Sequence, residues 1–200
     1  SLSLSNSITK GNFFPKINGT LDFGFQLPVD HTSFWIRNAF GNSFSKDFNP
    51  FTRFGFASFG NNYIDNASSK MYRQSFSFAG LSYNSGKSII AKRFFKSTLE
   101  LILPPLRYRK LGFFNLFATH SHATIFAGGL FINNNETTTD VNQVSNIKYS
   151  ESFRNIGFQV DTKLVMFSHL SSTFSFGWAR AFEVGNDNKS YDEWMISLKF

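Results

Sequence analysis

The chain has no cysteine. That excludes a disulfide framework and a thiolate-bound metal. It is also poor in charge: Asp, Glu, Lys and Arg make up 16% of its 200 residues. Mean hydropathy is nevertheless −0.18, so the missing charge is not replaced by the apolar runs of a helical membrane protein. Tryptophan (3) and tyrosine (6) are scarce beside 28 phenylalanines. There is no Gly-x-Ser-x-Gly elbow for a serine hydrolase. Gly86-Lys87-Ser88 ends like a phosphate-binding loop, but Leu81 stands where that motif needs glycine and no helix follows. A basic stripe is missing too. The net charge of +7 is scattered along the chain, which argues against nucleic acid as a partner.

What is present is alternation. At the end of the chain Trp194, Ile196, Leu198 and Phe200 alternate with Glu193, Met195, Ser197 and Lys199. Period two gives a strand one apolar and one polar face. An alternating strand that closes on Phe resembles the insertion signal of bacterial outer-membrane β-barrels. In such a barrel the apolar face meets lipid and the polar face the lumen. Scattered basic residues then suit a basic lumen or contacts to anionic lipid headgroups.

The same pattern recurs upstream. Leu2 to Thr9 is a first strand, ended by Gly11, Asn12 and Pro15. In Ile17 to Leu27, Ile17, Leu21, Phe23, Phe25 and Leu27 oppose Asn18, Thr20, Asp22 and Gln26. A short turn at Pro28–His31 leads to Ser33–Phe44. Ile89 to Leu103 sets Phe95, Leu99, Leu101 and Leu103 against Lys96, Thr98 and Glu100, and Pro104-Pro105 ends it. Phe113 to Phe131 follows, then a polar loop from Asn133 to Glu151. Phe153 to Phe167, a turn at Ser171-Ser172, a strand marked by Phe174, Phe176 and Trp178, a loop from Gly185 to Ser190 and Trp194 to Phe200 complete the set.

Ser45 to Ser88 is different. It holds Pro50, several glycines and many Asn and Ser, with aromatics that do not alternate. It reads as one long functional loop. The expectation is therefore all-β: an antiparallel transmembrane barrel of about eight strands, with short turns at one end and long loops at the other. Such a loop needs a roomy lumen, so residues 1–200 are expected to be the C-terminal half of a barrel of about sixteen strands. The chain opens Ser1-Leu2-Ser3-Leu4-Ser5, with no initiator Met and no basic n-region. That predicts an excised piece whose export signal lies upstream.

The order of features resembles the bacterial surface antigen family, the BamA/TamA type, at its C-terminal barrel half. Asn49-Pro50-Phe51-Thr52-Arg53-Phe54, leading to Phe59-Gly60-Asn61-Asn62, is similar to the family's lead-in to a loop that folds back into the lumen. Met71-Tyr72-Arg73-Gln74 stands where the family carries a Val-Arg-Gly-Phe/Tyr tip. Thr98-Leu99-Glu100-Leu101-Ile102-Leu103-Pro104-Pro105 is similar to the strand after that loop. Two departures stand out: Gln74 replaces the glycine after the tip Arg, and no acidic residue is found near Phe126 on the next strand. Asn61-Asn62-Tyr63-Ile64-Asp65 and the Pro104-Pro105 turn together resemble a subgroup with a periplasmic propeller.

The resemblance implies a non-enzymatic protein of the bacterial outer membrane. Its implied work is outer-membrane protein assembly, insertion or translocation. Its implied partners are outer-membrane lipid, unfolded outer-membrane proteins and periplasmic assembly factors. No cofactor and no metal are expected. The alternatives are a passive pore or surface antigen, and an outer-membrane hydrolase.

The resemblance also suggests that Arg73 at the loop tip reaches Glu100 and pins the loop, since a guanidinium matches a carboxylate with two parallel hydrogen bonds. Otherwise Arg73 is solvated and Glu100 pairs with Lys96 or Lys163. Trp194, Ile196, Leu198 and Phe200 would serve as insertion signal and as one side of a seam that opens to client strands. His120 and His122 share a strand face and could hold a metal, but lack an evident third ligand. His120 beside a serine is the only catalytic candidate. Trp178 and Trp194 suit a membrane interface.

Overall fold

The computed structural model describes residues 2–9, 12–44, 53–57, 70–81, 89–140, 143–167, 169–185 and 189–199. The described strands are β1 (Leu2–Thr9), β2 (Asn12–Gln26), β3 (Ser33–Ser43), β4 (Phe54–Phe56), β5 (Ile89–Ala91), β6 (Arg93–Ile102), β7 (Leu106–Phe113), β8 (Leu116–Asp140), β9 (Gln143–Met166), β10 (Leu170–Val184) and β11 (Ser190–Lys199). One turn of 3-10 helix covers Met71–Arg73.

Nine strands form one antiparallel sheet in the order β1-β2-β3-β6-β8-β9-β10-β11, with β7 beside β8. β4 and β5 make a separate two-stranded ribbon. Among the described residues the sheet is open. β1 pairs only with β2, and β11 only with β10.

Several boundaries differ from those the sequence suggests. Pro15 does not break the chain but lies inside β2, opposite Asn6. It lies where the ladder to β3 ends, just past Lys16↔Ser43: its carbonyl still accepts from Phe44 N at 3.2 Å, and the missing N–H forfeits only the return bond of that last pair. Ile89 to Leu103 is split at Lys92. The Asn134 side chain bridges the break, accepting from Lys92 N at 2.7 Å and donating to Ile90 O at 2.6 Å.

Pro104-Pro105 is not the turn. The Leu103 N–H bonds Ala123 O at 2.9 Å, and Leu106 already faces Ser121. The prolines therefore sit in a bulge, and β7 continues β6 along the same edge of β8. The hairpin turns at Phe114-Asn115 instead. Nor is Asn133–Glu151 a loop. β8 and β9 stay paired as far as Asp140↔Gln143, because the Thr run at 137–139 is β-branched and favours strand despite its polarity. The β9–β10 connection lies at Phe167–His169 rather than Ser171-Ser172. The segment read as one irregular loop contains β4 and the 3-10 turn, while Asn49–Thr52, Phe59–Asp65 and Gly86–Ser88 fall outside the described residues.

The parity within strands is as expected. On β6 the inner face carries Phe94, Lys96, Thr98 and Glu100, all buried, and the outer face carries Phe95 and Leu99, both exposed. Outer residues of neighbouring strands are also apolar and exposed: Leu21, Phe23 and Phe25 on β2, Ile125 and Phe131 on β8, Ile156 on β9, Trp194 and Ile196 on β11. The core lies on the inner face. Phe54 and Phe78 of the long segment pack there with Ala39, Phe94, Leu130, Ile132, Phe153 and Ala181. A second cluster joins Tyr72 and Ala79 to Phe126, Ala179 and Met195.

Candidate functional site: a loop clamped to the inner face

Glu100 is the centre of the site. Alternation on β6 turns it inward, and it is fully buried (0% exposed). A buried carboxylate survives as a charge only if it is paired and hydrogen-bonded. Three side chains meet it. Arg73 Nε donates to Oε1 and Oε2 at 3.0 and 3.1 Å, and its terminal nitrogen also bonds Oε1. Tyr72 donates its hydroxyl to Oε1 at 2.8 Å. Arg37 of β3 donates Nε to Oε2 at 2.7 Å and reaches Asp22 of β2 at 3.0 Å. Thus the structure brings Arg73 and Glu100 together, while Lys96 and Lys163 are not its partners.

Electrostatics on the loop side follow from this geometry. Burial, and then the adjacent Glu100 carboxylate, push the Tyr72 phenol well above its ordinary value. Tyr72 therefore stays a hydrogen-bond donor. Burial is the largest single effect on Arg73 and works against its charge, but hydrogen bonding to Glu100 together with the fields of Tyr72 and Glu100 raises the Arg73 pKa overall.

The loop backbone is held as well. Lys96 Nζ donates to the carbonyl oxygens of Tyr72 at 3.0 Å and Gln74 at 2.7 Å, and to that of Ser77. Three carbonyls match the three N–H bonds of an ammonium. Lys70 bridges Asp161 at 2.7 Å and Thr124 at 3.0 Å. Asn155 donates to Ala79 O at 2.8 Å, and Glu193 accepts from Gly80 N at 2.8 Å. Gly80 has φ +96°, and a Cβ there would lie 2.6 Å from Ala181 N. Only glycine fits so close to β10. At the other end of the segment Arg53 bonds Asn134 at 3.2 Å, and Lys16 donates to Arg53 O at 3.1 Å.

Sequence reading found Arg73 and Glu100 but missed Arg37, Tyr72 and the carbonyl cage around Lys96. Parity could have found Arg37, because Phe34 and Ile36 define the opposite face of β3. Phe126, noted for the absence of an acidic residue there, stacks on Tyr72 with centroids 4.3 Å apart and planes at 10°. A ring now fills that place and orients the Tyr72 hydroxyl toward Glu100.

The remaining candidates lie elsewhere. Trp194, Ile196 and Leu198 are on the outer side of β11, and Trp194 is 55% exposed. Phe200 lies outside the described residues. Trp178 and Trp194 face each other across the β10–β11 pair, 6.2 Å apart. The His120 and His122 rings are 5.1 Å apart, and the described residues form no group of three metal ligands around them. His120 Nδ1 meets Thr119 Oγ1 at 3.1 Å. Ser121 Oγ meets Thr162 Oγ1 at 2.7 Å and the Tyr108 hydroxyl at 3.2 Å, so the structure does not pair this serine with His120. No family model, curated protein or solved structure matches the chain.

Proposed function

We propose that this chain is the C-terminal part of an outer-membrane β-barrel of the bacterial surface antigen type. Its role is the assembly, insertion or translocation of outer-membrane proteins, without chemistry of its own. One observation carries the reading. A single sheet binds a long segment to its polar face through Glu100 and leaves its opposite face apolar and exposed. Soluble monomers rarely expose apolar surface on this scale, whereas lipid would cover it. The open edges at β1 and β11 fit a half-barrel, since unpaired strand edges are not tolerated in lipid.

On this reading the clamped loop sits in the lumen and the seam lies at Trp194, Ile196, Leu198 and Phe200. The partners are lipid, unfolded outer-membrane proteins and periplasmic assembly factors. Depletion of the full-length protein in its host tests it. Assembly of other outer-membrane proteins is expected to fall, with recovery by the wild-type protein and not by Arg73→Ala. Unchanged assembly on depletion would leave a passive pore or surface antigen in its place.

A further inference from the structure

A cavity of about 460 Å³ lies on the inner face, on the turn side of the Glu100 clamp. It is lined by Gln26 of β2, His31 and Thr32 of the β2–β3 turn, Trp35 of β3, Ile102 of β6 and His122 of β8. Ile102 and Glu100 share a face of β6. Among the described residues none of these six side chains hydrogen-bonds the clamped segment.

The cavity gathers polar groups that the fold leaves unspent. Thr32 is 6% exposed, and its hydroxyl has no hydrogen-bond partner among the described residues. Such a group costs folding free energy and calls for a reason. Gln26, His31 and His122 likewise make no side-chain hydrogen bond to the described residues. His31 has φ 60° and shares the left-handed region with Phe114 (53°) and Phe167 (50°). Backbone strain of this kind gathers at ligand sites. Trp35, by contrast, is fixed. Gly24 stands opposite it, and a Cβ at Gly24 would lie 2.7 Å from the indole, so the missing side chain lets the ring lie across β2. Its Nε1–H donates to Ser33 Oγ at 3.1 Å, and the Arg37 guanidinium sits 4.6 Å from the ring centroid. A wall already held in place loses little freedom when a ligand arrives.

The lining selects a chemistry. Among the described residues no Asp, Glu, Lys or Arg lines the cavity, so a charged ligand would be desolvated without an opposite charge. A wholly apolar ligand would strand the Thr32 hydroxyl, the Gln26 amide and the imidazoles. Hydroxyl, amide and neutral imidazole each donate and accept, as sugar hydroxyls do. Trp35 and Ile102 offer apolar surface to the C–H face of a ring. The volume falls in the range of about 300–1,000 Å³ typical of small-ligand sites. We propose that this cavity binds a neutral saccharide. Thr32, Gln26, His31 and His122 hydrogen-bond its hydroxyls, and Trp35 and Ile102 pack against its apolar face. The site goes beyond the assembly role and does not depend on it. Two sources share this chemistry: acetamido sugars of cell-wall glycan and plain hydroxyl sugars in solution.

Full-length protein in a detergent without a sugar headgroup is titrated with two probes, N,N′-diacetylchitobiose and maltose, and followed by saturation-transfer difference NMR. Millimolar binding of at least one probe is expected. Thr32→Val keeps the branched shape and removes an unpaired hydroxyl. It should fold as well as the wild type while weakening the sugar about tenfold, the worth of one hydrogen bond. Gln26→Leu should weaken it to a similar degree. A response to diacetylchitobiose alone identifies the acetamido source, and a response to maltose identifies recognition of hydroxyls alone; either supports the site. No transfer from either probe overturns it, as does binding that Thr32→Val and Gln26→Leu both leave unchanged. Gel mobility of the same samples with and without boiling keeps the two readings apart. A band that shifts but binds no sugar sinks this site and leaves the assembly role standing.

Discussion

Two ion pairs in this molecule join a guanidinium to a carboxylate on opposite sides of the sheet. Arg73 grips Glu100 on the inner face, where Glu100 has no exposure to solvent. Arg180 grips Asp192 with two bonds of 2.7 Å on the outer side, where both side chains are more than two-fifths exposed. Two bonds of 2.7 Å make the outer pair at least as well formed as the Arg73 Nε bonds of 3.0 and 3.1 Å. Burial separates them: an unpartnered charge inside is costly, whereas an exposed pair is screened and adds little. The inner face therefore holds the long segment by polar contacts, and the outer face works through apolar area.

The largest effect should come from Glu100→Ala. It strips Arg73, Arg37 and Tyr72 of their common partner and should cost about 3–5 kcal/mol. The long segment would become protease-sensitive in the folded protein. Glu100→Gln should fall between the variant and the wild type.

Next is the outer face. Ile125→Arg places a charge in the apolar band and should cost about 2–4 kcal/mol in a lipid setting, read as folding yield into vesicles. If the variant folds as well as the wild type, that face does not meet lipid. Tyr72→Phe removes one bond to a charged acceptor while keeping the stack on Phe126. About 1.5 kcal/mol is expected, measured as faster hydrogen exchange around Met71–Arg73. Asp192→Asn should change neither folding yield nor loop protection. A loss there equal to that of Glu100→Ala would erase the distinction between the two faces.

Much of this layout is legible in the residues. Alternation assigned the faces of β2, β6 and β11 correctly, because one-sided burial imposes period two on side chains. It also turned Glu100 inward. Turn positions were less legible for physical reasons. Phe114 and Phe167 occupy left-handed positions that sequence reading reserves for Gly or Asn, so the hairpin ends were misplaced. Pro104-Pro105 looks like a terminus, but a bulge between β6 and β7, opposite β8, absorbs it. The β8–β9 extension is polar and looks like a loop, yet its Thr run suits a strand. The Lys96 cage was illegible in principle. Its acceptors are backbone carbonyls of Tyr72, Gln74 and Ser77, which no residue type announces.

The most direct measurement is outer-membrane fractionation of the full-length protein from its host, followed by gel mobility with and without boiling. The account predicts a membrane-fractionated band whose mobility shifts on heating, as a closed barrel with its loop clamped inside resists detergent until boiled. A soluble band with no shift would contradict it, and the exposed Phe-rich face would then have to be the covered core of a secreted β-sandwich.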